Sequence, residues 1–231
     1  LASSKPFRSL GVLSKPGTSW ISRGAYGIFA FAVLGLLDIA IRSGFVTDGG
    51  FGSVISLLAS AAAFFIMAYV GFVFAEARNI GFWNSPAIPA IIVCYSLCMG
   101  QALFVSLVYI TGEKILSFLV FPLFMALVAT AVLIFFFLLV VYRTRTSARY
   151  SVEMLIRGEY RMAFLGGVIF MGLLIPMGLT ANYLVCGGMA AKMSFFPFIA
   201  GVLTLLGGLL FEMCFIRAGV YNPVVDVAQN D

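Results

Sequence analysis

The sequence of 231 residues contains no histidine. That removes the imidazole ligands a membrane-embedded haem would use, His-based metal sites and Ser-His-Asp catalysis. Charge is scarce too. The 14 Lys and Arg and 9 Asp and Glu make up 10% of the chain, against about 25% in soluble domains. Four cysteines remain, Cys94, Cys98, Cys186 and Cys214, all inside apolar runs. They form no tight multi-Cys loop of the kind that ligates an Fe–S cluster. They read as small packing residues of helices, although Cys94 and Cys98 stand one turn apart and can meet a common ligand.

What is present in excess is apolar surface, at 62% of residues. A soluble core of this size cannot absorb that much, so the chain needs lipid as its solvent. A soluble enzyme, a nucleic-acid module and a disordered chain are disfavoured together. The net charge of +5 does not point to nucleic acid, because the basic residues occupy short loops between apolar runs. The positive-inside bias accounts for them.

A spanning helix needs about 20 apolar residues, and six runs qualify, at about Ser22–Ile41, Phe51–Ala75, Ser85–Tyr109, Ile115–Tyr142, Met162–Cys186 and Ser194–Ile216. A polar segment, residues 1–21, precedes them. The runs lack the strict alternation of a membrane barrel, and no soluble domain interrupts them. The expected fold is therefore an all-α integral membrane protein with six transmembrane helices in a single domain, residues 1–231. The chain begins at Leu1 without Met or a signal-peptide pattern, so further N-terminal sequence is expected in the natural protein.

Six spans place both ends on one side. That side holds eleven basic residues: Lys5, Arg8, Lys15, Arg23, Arg78, Arg143, Arg145, Arg149, Arg157, Arg161 and Arg217. The other side holds three, Arg42, Lys114 and Lys192. The asymmetry supports the six-span topology and would put the basic side in the cytoplasm. A partner docking there would select basic residues as well. In the loop Arg143–Arg161, the i, i+4 spacing of Arg149, Glu153 and Arg157 predicts a short amphipathic interfacial helix. It serves either as a solvated loop or as a docking surface.

Polar groups in a membrane are costly and mark candidate sites. Asp38, near the end of the first span, can pair with Arg42 or belong to a proton pathway. Tyr69 lies in the second span, and Glu76 follows seven residues later on the same face. A phenol beside a carboxylate suits a quinone: the hydroxyl bonds a carbonyl and the acid relays a proton. The alternative is an interfacial tyrosine and a loop glutamate pairing Arg78. In the segment GFWNSPAIP, Pro86 fits a first helical turn, Asn84 or Ser85 can cap it, and Trp83 can anchor at the interface or wall a flat ring. Gln101, Asn182 and Glu212 read as helix-packing or snorkelling groups.

Several of these stretches resemble the NrfD/PsrC family of quinone-interacting membrane subunits. They are KPGTSWISRGAYGIF (Lys15–Phe29), AYVGFVFAEARNIGFWNSPAIP (Ala68–Pro89) with its Y-x-G and F-W-N-S-P, the run into Gly100, and GGLLFEMCFIRAGVYNP (Gly207–Pro223). The resemblance implies about eight helices in two four-helix bundles, two of them preceding Leu1. It implies a haem-free polysulfide-reductase-type anchor in the prokaryotic cytoplasmic (inner) membrane, binding menaquinone or ubiquinone and holding no Fe–S cluster itself. Electrons would pass to a ferredoxin-like Fe–S subunit and a catalytic subunit of the same complex. Tyr69 matches the family's quinone-site tyrosine. Trp83 and Asn84 are expected to shape the pocket mouth, Glu76 and Arg78 to serve proton exchange or quinone-entry electrostatics, and Asp38 to belong to the proton pathway. A proton-translocating module coupled to redox chemistry and a purely structural anchor are the competing readings.

Overall fold

The computed structural model describes residues 20–47, 49–77, 79–143, 147–186 and 195–219. The elements in order are α1 (Trp20–Arg42), α2 (Gly52–Ala75), α3 (Ala87–Ile110), α4 (Ser117–Arg143), α5 (Ser147–Ile156), a π-helical segment (Met162–Leu174) that continues as α6 (Ile175–Val185), and α7 (Phe195–Arg217). There is no strand among the described residues. Among the described residues, six helices are long and apolar enough to cross a membrane. The protein is an all-helical integral membrane protein, and the six expected spans lie within two residues of the observed ones.

The ends of the helices follow local chemistry. Ser85 Oγ accepts the N–H of Ala87 at 3.3 Å, and Pro86, with φ −65°, leads into α3 without an N–H to satisfy. At the other end Gly112 takes φ +76° while the N–H of Glu113 reaches back to the Val108 carbonyl at 3.2 Å, a glycine-terminated stop.

The chain forms two compact units, Leu1–Phe74 and Ala75–Asp231. In the first, α1 and α2 make an antiparallel hairpin. Trp20 stacks on Phe72, with ring centroids 4.9 Å apart. Next along the seam, Gly24 faces the Tyr69 ring and Gly27 faces Phe65. Contacts thus step back by three or four residues on one helix as they advance on the other, which is the spacing of one helix face. Glycine lets the aromatic rings reach the α1 backbone, the small-residue packing that membrane helices use where hydrophobicity gives no drive.

In the second unit α7 is central, packing on α3, the π segment and α6, while α4 packs on α3, α5 and α6. In its most apolar stretch, 44% of α7 is buried, against 33% for α3 and 28% for α4, so the interior of this unit is built around α7. Gly207 meets Gly172 of the π segment backbone to backbone, Gly201 meets Ser106 and Ala102, and Gly208 seats Met99. Buried hydroxyls satisfy themselves on the preceding helical turn: Ser106 on Ala102 O, Thr130 on Ala126 O and Thr204 on Ala200 O, each at 2.8 Å. The Tyr183 hydroxyl donates to the Ile115 carbonyl.

One span departs from expectation. The stretch read as a single α-helix from Met162 is π-wound as far as Leu174, and the N–H of Ile175 bonds the Phe170 carbonyl five residues back. Pro176 follows. It has no N–H to offer the Gly172 carbonyl and its ring crowds that position, so the α register resumes only there.

The expected short helix is α5, from Ser147 to Ile156. Val152 and Leu155 point inward. On its outer face Arg149 Nε meets Glu153 Oε1 at 2.9 Å, and the guanidinium lies 4.9 Å from the Tyr142 ring centroid. The Glu153 hydrogen bond pushes the Arg149 pKa further up, so this residue is cationic at any working pH. Arg157 lies one residue beyond the helix.

Candidate functional site

Within the first unit, two groupings of candidate residues stand at opposite ends of the hairpin. At one end, Tyr69 of α2 lays its ring on Gly24, where a Cβ would overlap the ring carbons. The ring is half-buried and stacks on Phe65, with centroids 6.4 Å apart. The orientation of the phenol is therefore fixed by the α1 backbone below it and by its own helix beside it. Among the described residues its hydroxyl has no hydrogen-bond partner.

At the other end, Arg42 Nε donates to Asp38 Oδ2 at 3.0 Å. Ser56 of α2 completes the grouping. Its hydroxyl donates to the other Asp38 oxygen and accepts from Arg42 Nη2 at 2.9 Å. The ion pair expected from i, i+4 spacing is thus a three-residue tie between α1 and α2. Ser56 and Tyr69 are thirteen residues apart on one helix, about 20 Å at the α-helical rise, so Asp38 and Tyr69 do not share a site.

In the second unit, the loop before α3 carries Trp83 and Asn84. The Trp83 indole N–H donates to the Phe215 carbonyl at 3.1 Å. Its ring stacks on Phe215 at 6.2 Å and covers Gly219, whose missing Cβ would meet it. Trp83 thereby clasps the end of α7. Neighbouring Phe82 is fully buried and meets Phe137 and Phe215 at 5.3 and 5.5 Å. The crevice among these rings and Ile91, Leu155 and Phe164 has a volume of about 10 Å³, the room of one water at most. Asn84 is exposed, and Glu76 is exposed in the turn after α2. Arg78 lies outside the described residues.

Three features were not visible in the residue pattern. Ser56 is one of many serines, and nothing in the sequence couples it to Asp38. The Gly24–Tyr69 seat has a faint signal in the pair Gly24 and Gly27, spaced by three on one face of α1. Tyr95 is the third. It is 3% exposed, stacks on Phe211 at 4.6 Å, and its hydroxyl has no partner. Beside it in α3, Cys98 Sγ lies 3.3 Å from Thr130 Oγ1. Among the described residues no three Cys, Asp or Glu side chains converge as a metal site would require.

A family model described as polysulphide reductase, NrfD, matches residues 23–224. That stretch contains Asp38, Tyr69, Glu76, Arg78, Trp83 and Asn84. No curated protein and no solved structure matches the chain.

Proposed function

Because this chain belongs to the polysulphide reductase NrfD family, we propose that it is the haem-free quinone-handling membrane subunit of a respiratory oxidoreductase complex. The observation that carries this reading is the Tyr69 phenol: held by Gly24, half-buried in a membrane hairpin, with a hydroxyl that no described residue engages. A hydrogen-bonding group at membrane depth is costly to leave unsatisfied. A quinone carbonyl is a fitting partner for it, and the apolar hairpin around it suits an isoprenoid tail.

In this reading menaquinol or ubiquinol docks with one oxygen on the Tyr69 hydroxyl. Its oxidation to quinone releases two electrons and two protons. The electrons leave to an Fe–S cluster on a separate ferredoxin-like subunit and from there to a catalytic subunit. Glu76, exposed at the end of α2, passes protons to water. Reduction of quinone runs the same steps in reverse. The membrane is the prokaryotic cytoplasmic membrane.

The test is Tyr69→Phe in the assembled complex. Loss of one hydrogen bond to a bound ligand costs about 0.5–1.5 kcal/mol, roughly 2- to 12-fold in affinity. Titration of a quinol-analogue inhibitor by fluorescence quenching should show one saturable site, weakened to that degree, in a complex that still assembles. Saturable binding unchanged by the substitution removes Tyr69 from the site. Absence of saturable binding in an intact complex rejects the quinone reading and favours a structural anchor.

A further inference from the structure

The Asp38–Arg42–Ser56 grouping forms one wall of an open notch, also lined by Ile41, Gly52 and Ser53, with a volume of about 210 Å³. The notch is polar, yet it lies at the ends of two membrane helices. Arg42 is the last residue of α1, and Ser53 is in the first turn of α2. Just beyond, Phe45 and Phe51 are 89% and 68% exposed. Just inside, Leu36, Ile39 and Leu57 present bare apolar side chains. The notch therefore stands at the depth where lipid headgroups lie, with acyl-chain surface directly below it.

Its charges are of both signs and are accessible. Arg42 spends Nε on Asp38 and one Nη2 hydrogen on Ser56, which leaves Nη1 for a phosphate oxygen; the guanidinium fork suits such an acceptor. Its side chain is 68% exposed. Ser53 is exposed and offers a second donor. Asp38 is 22% exposed, and a carboxylate has lone pairs beyond the two it uses for Arg42 and Ser56. Phosphate donors and an ammonium acceptor thus lie side by side in a space of headgroup size.

We infer that this notch is a binding site for a zwitterionic phospholipid headgroup, with the phosphate on Arg42 and Ser53 and a primary ammonium on Asp38, the chemistry of phosphatidylethanolamine. A quaternary ammonium has no N–H to give Asp38, and a glycerol headgroup has no cation. The site therefore discriminates by headgroup. Because the apolar faces of α1 and α2 hold the tails, the ligand is the lipid and not free phosphoethanolamine.

The experiment measures lipid retention by native mass spectrometry. The full natural protein, delipidated in detergent, is offered mixed micelles of phosphatidylethanolamine, phosphatidylcholine or phosphatidylglycerol with identical chains. The expected preference for ethanolamine is roughly tenfold, the worth of one charge-assisted hydrogen bond. Asp38→Asn should erase the ethanolamine-over-choline preference, and Arg42→Gln should weaken all three lipids. Ser53→Trp fills the notch while leaving the ion pair intact, so it should abolish retention with unchanged helical circular dichroism. Equal retention of ethanolamine and choline lipids overturns the ammonium assignment. Preference for phosphatidylglycerol overturns the zwitterion. Full retention by Ser53→Trp moves the lipid elsewhere, and displacement by soluble phosphoethanolamine at equal concentration overturns the lipid as ligand.

Discussion

The ring of Tyr69 rests on the backbone of Gly24, and a methyl group at position 24 has no space that the ring does not already fill. The relationship makes one glycine on α1 the seat of the phenol on α2. It ties the packing of the hairpin to the presentation of the hydroxyl.

Gly24→Ala should therefore destabilise the hairpin by about 1–3 kcal/mol, the usual cost of overpacking a tight contact. The thermal midpoint of the detergent-solubilised protein reads this. Gly24→Ala combined with Tyr69→Leu should recover most of the loss, since the flexible leucine can vacate the seat. An unchanged midpoint in the single variant would show that α1 and α2 do not pack in this register.

The Trp83 indole gives its N–H to the Phe215 carbonyl and its face to Phe215 and Gly219. Trp83→Phe keeps an aromatic ring and loses the hydrogen bond, so a cost of about 0.5–1.5 kcal/mol is expected. Trp83→Ala also loses the packing and should cost more, about 3–5 kcal/mol. Equal losses in the two variants would mean that the hydrogen bond alone matters.

Gly207 and Gly172 touch backbone to backbone, so neither has room for a side chain. Gly207→Leu should force α7 off the π segment and lower the thermal midpoint of the second unit well beyond the effect of Gly178→Ala, where a Cβ meets open space. Similar midpoints for the two variants would place α7 differently.

Tyr95 gives a prediction of opposite sign. Its hydroxyl is buried without a partner, so Tyr95→Phe removes a desolvated polar group and keeps the stack on Phe211. Stability should stay level or rise by about 1 kcal/mol. A clear fall would reveal a water held by the hydroxyl.

Hydropathy and the distribution of Lys and Arg made the six spans legible, because the membrane selects length and composition directly. The F-W-N-S-P stretch and its preceding tyrosine likewise exposed the family. The i, i+4 pairs Asp38–Arg42 and Arg149–Glu153 were readable since helix geometry alone brings such residues together. The place of Ser56 beside Asp38, the clasp of Trp83 on α7 and the isolation of Tyr95 were not. Each depends on which faces of two mostly apolar helices meet, and the residue pattern does not mark those faces.

The sequence by itself determined the six stretches long and apolar enough to cross a membrane, where the chain turns between them and which polar residues are costly enough in lipid to suggest a role. The tertiary structure alone decided which faces meet. In water, a polar face marks the outside of a helix and the pattern reveals the packing. In lipid, the outside is as apolar as the inside, and the choice falls to shape: Gly24 beneath Tyr69, Gly172 against Gly207, and the switch from π to α register before Pro176.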